Sequence, residues 1–170
     1  MIEGACADVG RPPSGHAVGM IRELDRDEID EVLRDGLVGR IGCHANGKTY
    51  IVPITYAYDG MHVYCHSAEG LKLQMLRESR QVCFEVEELA GLASWRSVIA
   101  WGVFEELAGY EAEDALQRLK ARVLPQLVAG SEPSARPPTH ASETSGREVV
   151  VYRIRLGERT GRAEGAPVAS

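Results

Sequence analysis

The chain has 170 residues, of which 44% are hydrophobic and 26% charged, and this composition is typical of one globular domain rather than of a disordered or fibrous protein. The net charge of −6 excludes a general attraction to nucleic acid or to anionic lipid, so an anionic ligand has to be bound at a local site. Because no apolar run approaches the ~20 residues that span a bilayer and no signal peptide is recognisable, we expect a cytoplasmic protein.

The N-terminal region divides into a leader and a short helix. Residues 1–19 combine Gly, Pro, Ser and Ala without a hydrophobic period, which predicts a disordered leader and leaves Met20 as an alternative start. Asp25 and Glu28 form a capping-box pattern, in which each side chain accepts a hydrogen bond from the backbone amide of the other. Together with a stop at Gly36, the pattern predicts a helix of roughly ten residues.

A three-stranded antiparallel meander is predicted next. Val38–His44 has the period of a strand, and Asn46-Gly47 is a strong signal for a two-residue hairpin. Thr49–Tyr58 is the predicted return strand, and the chain then turns again into Met61–Ser67.

Two helices and two strands follow the meander. Glu69–Arg80 and Glu111–Val128 have helical periodicity, whereas Gln81–Glu88 and Trp95–Leu107 have strand character. Gly102 inside the last of these predicts a bulge or bend, which a sheet needs in order to curl into a barrel.

The C-terminal part contains one more strand. Residues 131–146 are rich in Pro, Ser and Thr and are predicted to form a mobile loop before the strand Glu148–Leu156 and a flexible tail at 158–170. One domain is therefore predicted over 20–157. Six strands in hairpin succession with few helices predict a mainly β fold, an antiparallel barrel with flanking helices, rather than a doubly wound sheet.

A candidate phosphate site lies where the third strand meets the second helix. A helix N-terminus presents free amides and the positive end of its dipole; Ser67 adds a hydroxyl, Gly70 permits close approach and Lys72 adds a charge. In the alternative interpretation, Ser67 merely caps the helix and Lys72 is a solvated surface residue. Glu69 argues against the phosphate site, because its carboxylate would repel the ligand.

A proline interrupts the second strand of the meander. Pro53 has no amide to donate, so its position has to be an edge, a bulge or a place where a ligand replaces the neighbouring strand. A flat heteroaromatic ring such as an isoalloxazine fits beside Val52–Thr55. An edge-strand proline that blocks aggregation explains the same residue.

A hydroxyl is also embedded in an apolar row of the long fifth strand. By strand alternation Ser97 shares a face with Trp95, Ile99 and Trp101. Such a hydroxyl needs a partner, which is either a ligand or a neighbouring backbone carbonyl.

Other chemistries find little support. His62 and His66 are four residues apart on a strand, hence ~13 Å from each other, too far to share a metal ion. No serine-hydrolase elbow and no Gly-rich dinucleotide fingerprint occurs.

Together, these motifs resemble the FMN-binding split barrels related to pyridoxamine-5′-phosphate oxidase, most closely the branch that contains the nitroimidazole-resistance proteins. The resemblance extends from Leu24 to about Leu156. It is carried by residues 39–42 (GRIG), 50–56 (YIVPITY), 63–68 (VYCHSA), Gly70, Lys72, 95–98 (WRSV) and Gly102. The basic C-terminal motif of the oxidase, which binds the substrate phosphate, is not evident, and this argues against pyridoxamine-phosphate oxidation.

The resemblance implies a six-stranded split β-barrel, a homodimer, and a cofactor site between its two subunits. Val52–Thr55 would lie along the isoalloxazine, with the ribityl phosphate near Lys72. The implied cofactor-binding residues are Val52, Pro53, Ile54, Thr55, Cys65, His66, Ser67, Gly70, Lys72, Trp95 and Ser97. His66 is the implied catalytic residue, as a proton donor or as a group that orients the ligand.

The expected function is that of an FMN-dependent oxidoreductase that reduces a small-molecule acceptor. One alternative is a binding protein that stores or senses flavin. Another is a split barrel that uses FAD, a deazaflavin or haem, and the last is a structural dimer without a ligand.

Overall fold

The computed structural model describes residues 20–129 and 149–165, with side chains up to Gln126 in the first of these ranges. The predicted leader at 1–19 and the predicted loop at 131–146 lie outside the described residues. Within them, no helix has the length and apolar character needed to cross a bilayer.

The described ranges contain eight strands and three helices. In chain order these are β1 (Arg22–Glu23), α1 (Arg26–Asp35), β2 (Val38–Ala45), β3 (Lys48–Thr55), β4 (Ala57–Tyr58), β5 (His62–Ala68), α2 (Leu71–Glu78), β6 (Gln81–Gly91), β7 (Ser94–Glu106), α3 (Gly109–Ala129) and β8 (Val149–Glu164). The six predicted strands are present, but the predicted return strand Thr49–Tyr58 is divided at Tyr56 into β3 and β4, and the two-residue strand β1 was not predicted.

All strands join one antiparallel sheet in the order β3-β2-β6-β7-β8-β5-β4, and β1 pairs with β8. The edge strands β3 and β4 follow each other in the chain but do not pair with each other in the described structure, so the barrel stays open along this line. The predicted mainly β, split-barrel fold is confirmed.

The two local signals in the first half of the chain act as predicted. Asp25 accepts a hydrogen bond from the Glu28 amide at 2.9 Å, and Glu28 accepts one from the Asp25 amide at 3.0 Å. Asn46 and Gly47 have φ values of 51° and 71°, which are the left-handed conformations that a tight hairpin turn requires.

Two glycines are required for close packing. A Cβ on Gly36 would lie 2.5 Å from the Tyr56 hydroxyl oxygen, so the end of α1 needs glycine for lack of space. At Gly102 the pairing of β7 with β8 shifts register, as predicted, and a Cβ there would lie 2.7 Å from the carbonyl oxygen of Arg155. The bulge bends β7 and lets β8 approach closely.

The C-terminal prediction was wrong in one respect. The last strand does not end at Leu156; β8 continues to Glu164, and residues 159–164 pair with β7 instead of forming a tail. The first half of β7 needs a hydrogen-bonding partner, and this extension supplies it. Gly161 lets the extension pack tightly, since a Cβ there would lie 2.9 Å from the side chains of Leu24 and Ile29.

Two apolar clusters lie on opposite sides of the sheet. The larger one fills the barrel and receives Leu73, Met75 and Leu76 from α2. The smaller one joins α3 to the other face, and includes Tyr64 and Ala115.

Candidate functional site

The N-terminus of α2 is open. The helix begins after Gly70, which provides no side-chain cap, and a Cβ added to Gly70 would meet nothing within 4 Å. Ser67 does not cap the helix, because its hydroxyl donates to the carbonyl oxygen of Ala68 at 2.7 Å. The alternative interpretation of Ser67 as the cap is therefore wrong, and among the described residues no side chain caps the first-turn amides of α2.

Lys72 points toward the barrel. Its Nζ lies 5.5 Å from the centre of the Tyr152 ring, and the side chain is half-buried on the same helix face as the buried Met75 and Leu76. Desolvation lowers the pKa of Lys72, although the nearby thiols of Cys65 and Cys43 act in the opposite direction. The alternative of a solvated surface lysine is wrong.

No carboxylate neutralises Lys72 in the described ranges, where all the salt bridges involve other cations. A half-buried ammonium group without a counterion is costly, and an anionic ligand would remove that cost.

The expected repulsion from Glu69 is neutralised within the chain. Arg77 donates to both carboxylate oxygens of Glu69, at 2.9 and 2.7 Å, and also pairs with Glu106. This pairing lowers the pKa of Glu69 and holds its carboxylate on Arg77. Glu69 is therefore compensated, and it does not argue against an anion at the start of α2.

Cys65 and His66 lie on opposite faces of β5. Cys65 is fully buried in the barrel core, and desolvation raises the pKa of its thiol to about 12. His66 is exposed and shares the face of Tyr64, which packs against the α3 side. Although the side chain as a whole is exposed, neighbouring atoms partly desolvate the imidazole, and this effect, followed by the charge of Lys72, lowers the pKa of His66.

The predicted residues of β3 are divided between its two faces. Ile54 is buried in the barrel and Val52 packs against the same core, whereas Pro53 is exposed on the opposite face and Thr55, half-buried, shares that face by alternation. Pro53 pairs with Arg40 on one side, and β3 is an edge of the described sheet on the other. A proline beside a ligand and a proline that blocks aggregation both require a strand edge, and β3 provides one.

Trp95 and Ser97 lie on the outer sheet face, by which we mean the face of β3, β2, β6 and β7 that no described helix covers. The Trp95 indole donates to Glu164 at 3.0 Å, and the Ser97 hydroxyl donates to Glu85 at a long 3.5 Å. Within the chain the partner of Ser97 is thus a distant carboxylate rather than a backbone carbonyl, and a ligand as its partner stays a prediction. A cavity of about 180 Å³ opens beside both residues.

The outer sheet face is apolar over much of its area. The exposed fractions are 64% for Ile51, 56% for Val38, 44% for Trp101 and 38% for Ile99. Cross-strand pairing places Pro53 beside Arg40, Arg40 beside Glu85 and Glu85 beside Ile99, so one row crosses four strands.

The predicted site residues form separate groups within one chain. Ser67, Gly70 and Lys72 surround the start of α2, whereas Pro53, Thr55, Trp95 and Ser97 share the outer sheet face. Tyr152, beneath Lys72, and Glu164, beside Trp95, are both in β8 and are separated by a length of strand that would measure about 40 Å if straight, at ~3.3 Å per residue. Lys72 and Trp95 are therefore not brought together in a single subunit.

Three residues that contribute to these groups were not predicted. Tyr152 contacts Lys72 from the last strand, Arg77 contacts Glu69 from the end of α2, and Glu85 contacts Ser97 from the neighbouring strand β6. The only sequence signal was for Tyr152, an aromatic residue with a polar tip in the last strand. Within the described ranges, no three His, Cys, Asp or Glu side chains are arranged to hold a metal ion.

Comparison with known proteins gives consistent results. Residues 25–163 match the profile of the family described as pyridoxamine 5′-phosphate oxidase. An uncharacterised protein of Rhizobium meliloti is 29% identical over 144 residues, which are 84% of this chain and 95% of that protein.

Two solved structures have the same fold. An FAD-binding protein of Mesorhizobium loti superimposes with a TM-score of 0.66 at 29% identity, covering 86% of this chain and 99% of that one. A proposed 5-nitroimidazole antibiotic resistance protein of Bacteroides thetaiotaomicron has a TM-score of 0.60 at 19% identity, covering 88% and 95%.

Proposed function

The chain belongs to the pyridoxamine 5′-phosphate oxidase family, and from this premise we propose that it is a flavoprotein that binds FMN with the phosphate at the start of α2. The observation that carries the proposal is the half-buried Lys72, which has no carboxylate partner in the described ranges and lies in the first turn of an uncapped helix. A phosphate would satisfy both the ammonium group and the free amides. Gly70 leaves the space that this close approach needs.

FMN is proposed ahead of FAD because one phosphate accounts for the observed cradle. The similarity to the FAD-binding protein of Mesorhizobium loti supports a flavin and makes FAD the direct competitor. Both nucleotides carry a phosphate attached to the ribityl chain, so the start of α2 could hold either one.

The proposed activity is reduction of a small-molecule acceptor. A bound flavin would supply reversible two-electron chemistry, and the protein would bind, orient and shield it. The open edge of β3 beside Pro53 offers backbone groups for hydrogen bonds to the isoalloxazine. His66 would donate a proton to the acceptor or orient it, and its lowered pKa restricts the donor role to acidic pH.

We further propose that the flavin site is completed by a second copy of the chain. Trp95 and Ser97 lie on β7 and pair with the end of β8 that is remote from Tyr152 and Lys72, so all three could line one site only if Trp95 and Ser97 came from another subunit. The outer sheet face carries the exposed apolar side chains that a dimer would bury. A homodimer paired through this face satisfies both observations.

The proposal is tested by titrating the purified, flavin-free protein with FMN, FAD and riboflavin while flavin fluorescence is followed. We expect FMN to bind more tightly than riboflavin, because only FMN carries the phosphate. Equal affinities, or no binding at all, would contradict the proposal. Reduction of the bound flavin by NADH or NADPH then separates an oxidoreductase from a protein that only stores or senses flavin.

A further inference from the structure

Tyr152 is buried in an unusual state for a tyrosine. The residue is fully buried in β8, and its hydroxyl lies next to the thiol of Cys65 but makes no hydrogen bond of ordinary geometry with a described residue. Buried hydroxyls are normally paired, and a phenylalanine would fill the same space without leaving an oxygen unpaired. The packing of Tyr152 therefore depends on its ring, because the hydroxyl adds no hydrogen bond of ordinary geometry.

The ring of Tyr152 has a charged neighbour. The Nζ of Lys72 lies 5.5 Å from the ring centre, within the distance at which an ammonium group is attracted to an aromatic face. Phe104 packs on the same ring, with centroids 5.2 Å apart, and Cys65 is paired with Tyr152 across the sheet. The ring is thus fixed by the core, while the lysine side chain that contacts it belongs to a short helix at the barrel opening.

We propose that Tyr152 is a positioning residue for flavin phosphate binding: its ring holds the ammonium group of Lys72 beside the first-turn amides of α2. This inference rests on the proposed function, because it assumes that Lys72 binds the phosphate. A lysine has four rotatable side-chain bonds, and holding it near its bound position reduces the entropy lost when the ligand arrives. Tyr152 acts only through Lys72 and does not contact the flavin.

The test compares the FMN and riboflavin affinities of Tyr152→Leu, Tyr152→Phe and the unaltered protein. Since Lys72 would contact only the phosphate, Tyr152→Leu should reduce the preference for FMN over riboflavin about fivefold or more. Tyr152→Phe retains a ring and should keep the preference within about threefold. Phe84→Leu is the matched control, because Phe84 is an equally buried ring that packs against Tyr56 instead.

Three results would overturn the inference: an unchanged preference in Tyr152→Leu, an equal loss in Phe84→Leu, or a loss in Tyr152→Phe as large as in Tyr152→Leu. If the unaltered protein bound no flavin, the proposed function would fail first, and the two failures are therefore distinguishable.

A second measurement needs no core variant. Lysines are reductively methylated with ¹³C, which retains their charge, and the Lys72 signal is assigned by its loss in Lys72→Arg. We expect a ring-current shift of this signal in the flavin-free protein that changes on addition of FMN but not of riboflavin. A Lys72 signal at the position of an exposed lysine would overturn the inference even if Tyr152→Leu failed to fold.

Discussion

Replacing Lys72 with methionine should change two measurable properties in opposite directions. Methionine has a similar length and fits the buried stripe formed with Met75 and Leu76, but it removes the charge that has no carboxylate partner in the described ranges. The flavin-free variant should therefore be at least as stable as the original chain. FMN binding, in contrast, should lose a charge-assisted contact.

The size of the loss follows from the environment of the ammonium group. A hydrogen bond to a charged group contributes about 1.5–3 kcal/mol, which corresponds to roughly 10- to 150-fold in affinity. The affinity for riboflavin should change by less than about twofold, because riboflavin lacks the phosphate that Lys72 would contact. The affinity ratio of the two ligands thus isolates the contribution of the charge.

The assay is fluorescence titration with FMN and riboflavin, combined with thermal unfolding of the flavin-free protein. Lys120→Met is the matched control, since Lys120 is exposed on α3. Lys72→Met would refute the reasoning if it lowered both affinities equally, or if it destabilised the flavin-free protein while leaving the FMN preference intact.

Three further predictions concern the fold, the catalytic candidate and the dimer. Gly102→Ala should destabilise the protein by about 1–3 kcal/mol in urea unfolding, because the new Cβ would lie 2.7 Å from a backbone carbonyl oxygen. Gly91→Ala is the control, since a Cβ there meets nothing within 4 Å, and it should not destabilise the protein. Equal effects of the two substitutions would contradict the packing argument. If His66 donates a proton, the rate of acceptor reduction should fall as the pH rises through the pKa of His66, which lies below the usual value near 6.5. His66→Ala should remove this pH dependence while FMN stays bound. An unchanged pH profile in His66→Ala would exclude the donor role. Trp101→Lys should convert the dimer to a monomer, as measured by light scattering. Leu124→Lys, at an exposed position on α3, should leave the dimer intact. A Trp101→Lys variant that remains dimeric would place the interface elsewhere.

Local chemistry accounts for the parts of the fold that the sequence predicted. The capping box of Asp25 and Glu28, the hairpin at Asn46-Gly47 and the bulge at Gly102 depend on residues that are close in sequence or on backbone conformations with strong residue preferences. The strands between them followed from their period of two.

The longer reach of β8 could not be predicted in this way. Residues 157–164 are polar and contain two glycines, a composition that is typical of a tail. Their strand conformation depends on pairing with β7 and on the tight fit of Gly161 against Leu24. Both contacts join parts of the chain that are distant in sequence.

In the candidate site, too, the local motif could be predicted and the long-range contacts could not. The motif from Ser67 to Lys72 was visible in the sequence, but its electrostatic balance was not. Arg77 neutralises Glu69 from the last turn of α2, and Tyr152 meets Lys72 from the last strand. The contact of Tyr152 with Lys72, and the second contact of Arg77, with Glu106 of β7, depend on the packing of distant elements, which no local pattern specifies.

The most direct measurement is a crystal structure of the protein grown with FMN. The account predicts that the FMN phosphate lies within hydrogen-bonding distance, ~3 Å, of Lys72 Nζ and of the first-turn amides of α2. A phosphate bound elsewhere, with the start of α2 in contact with water alone, would contradict the account.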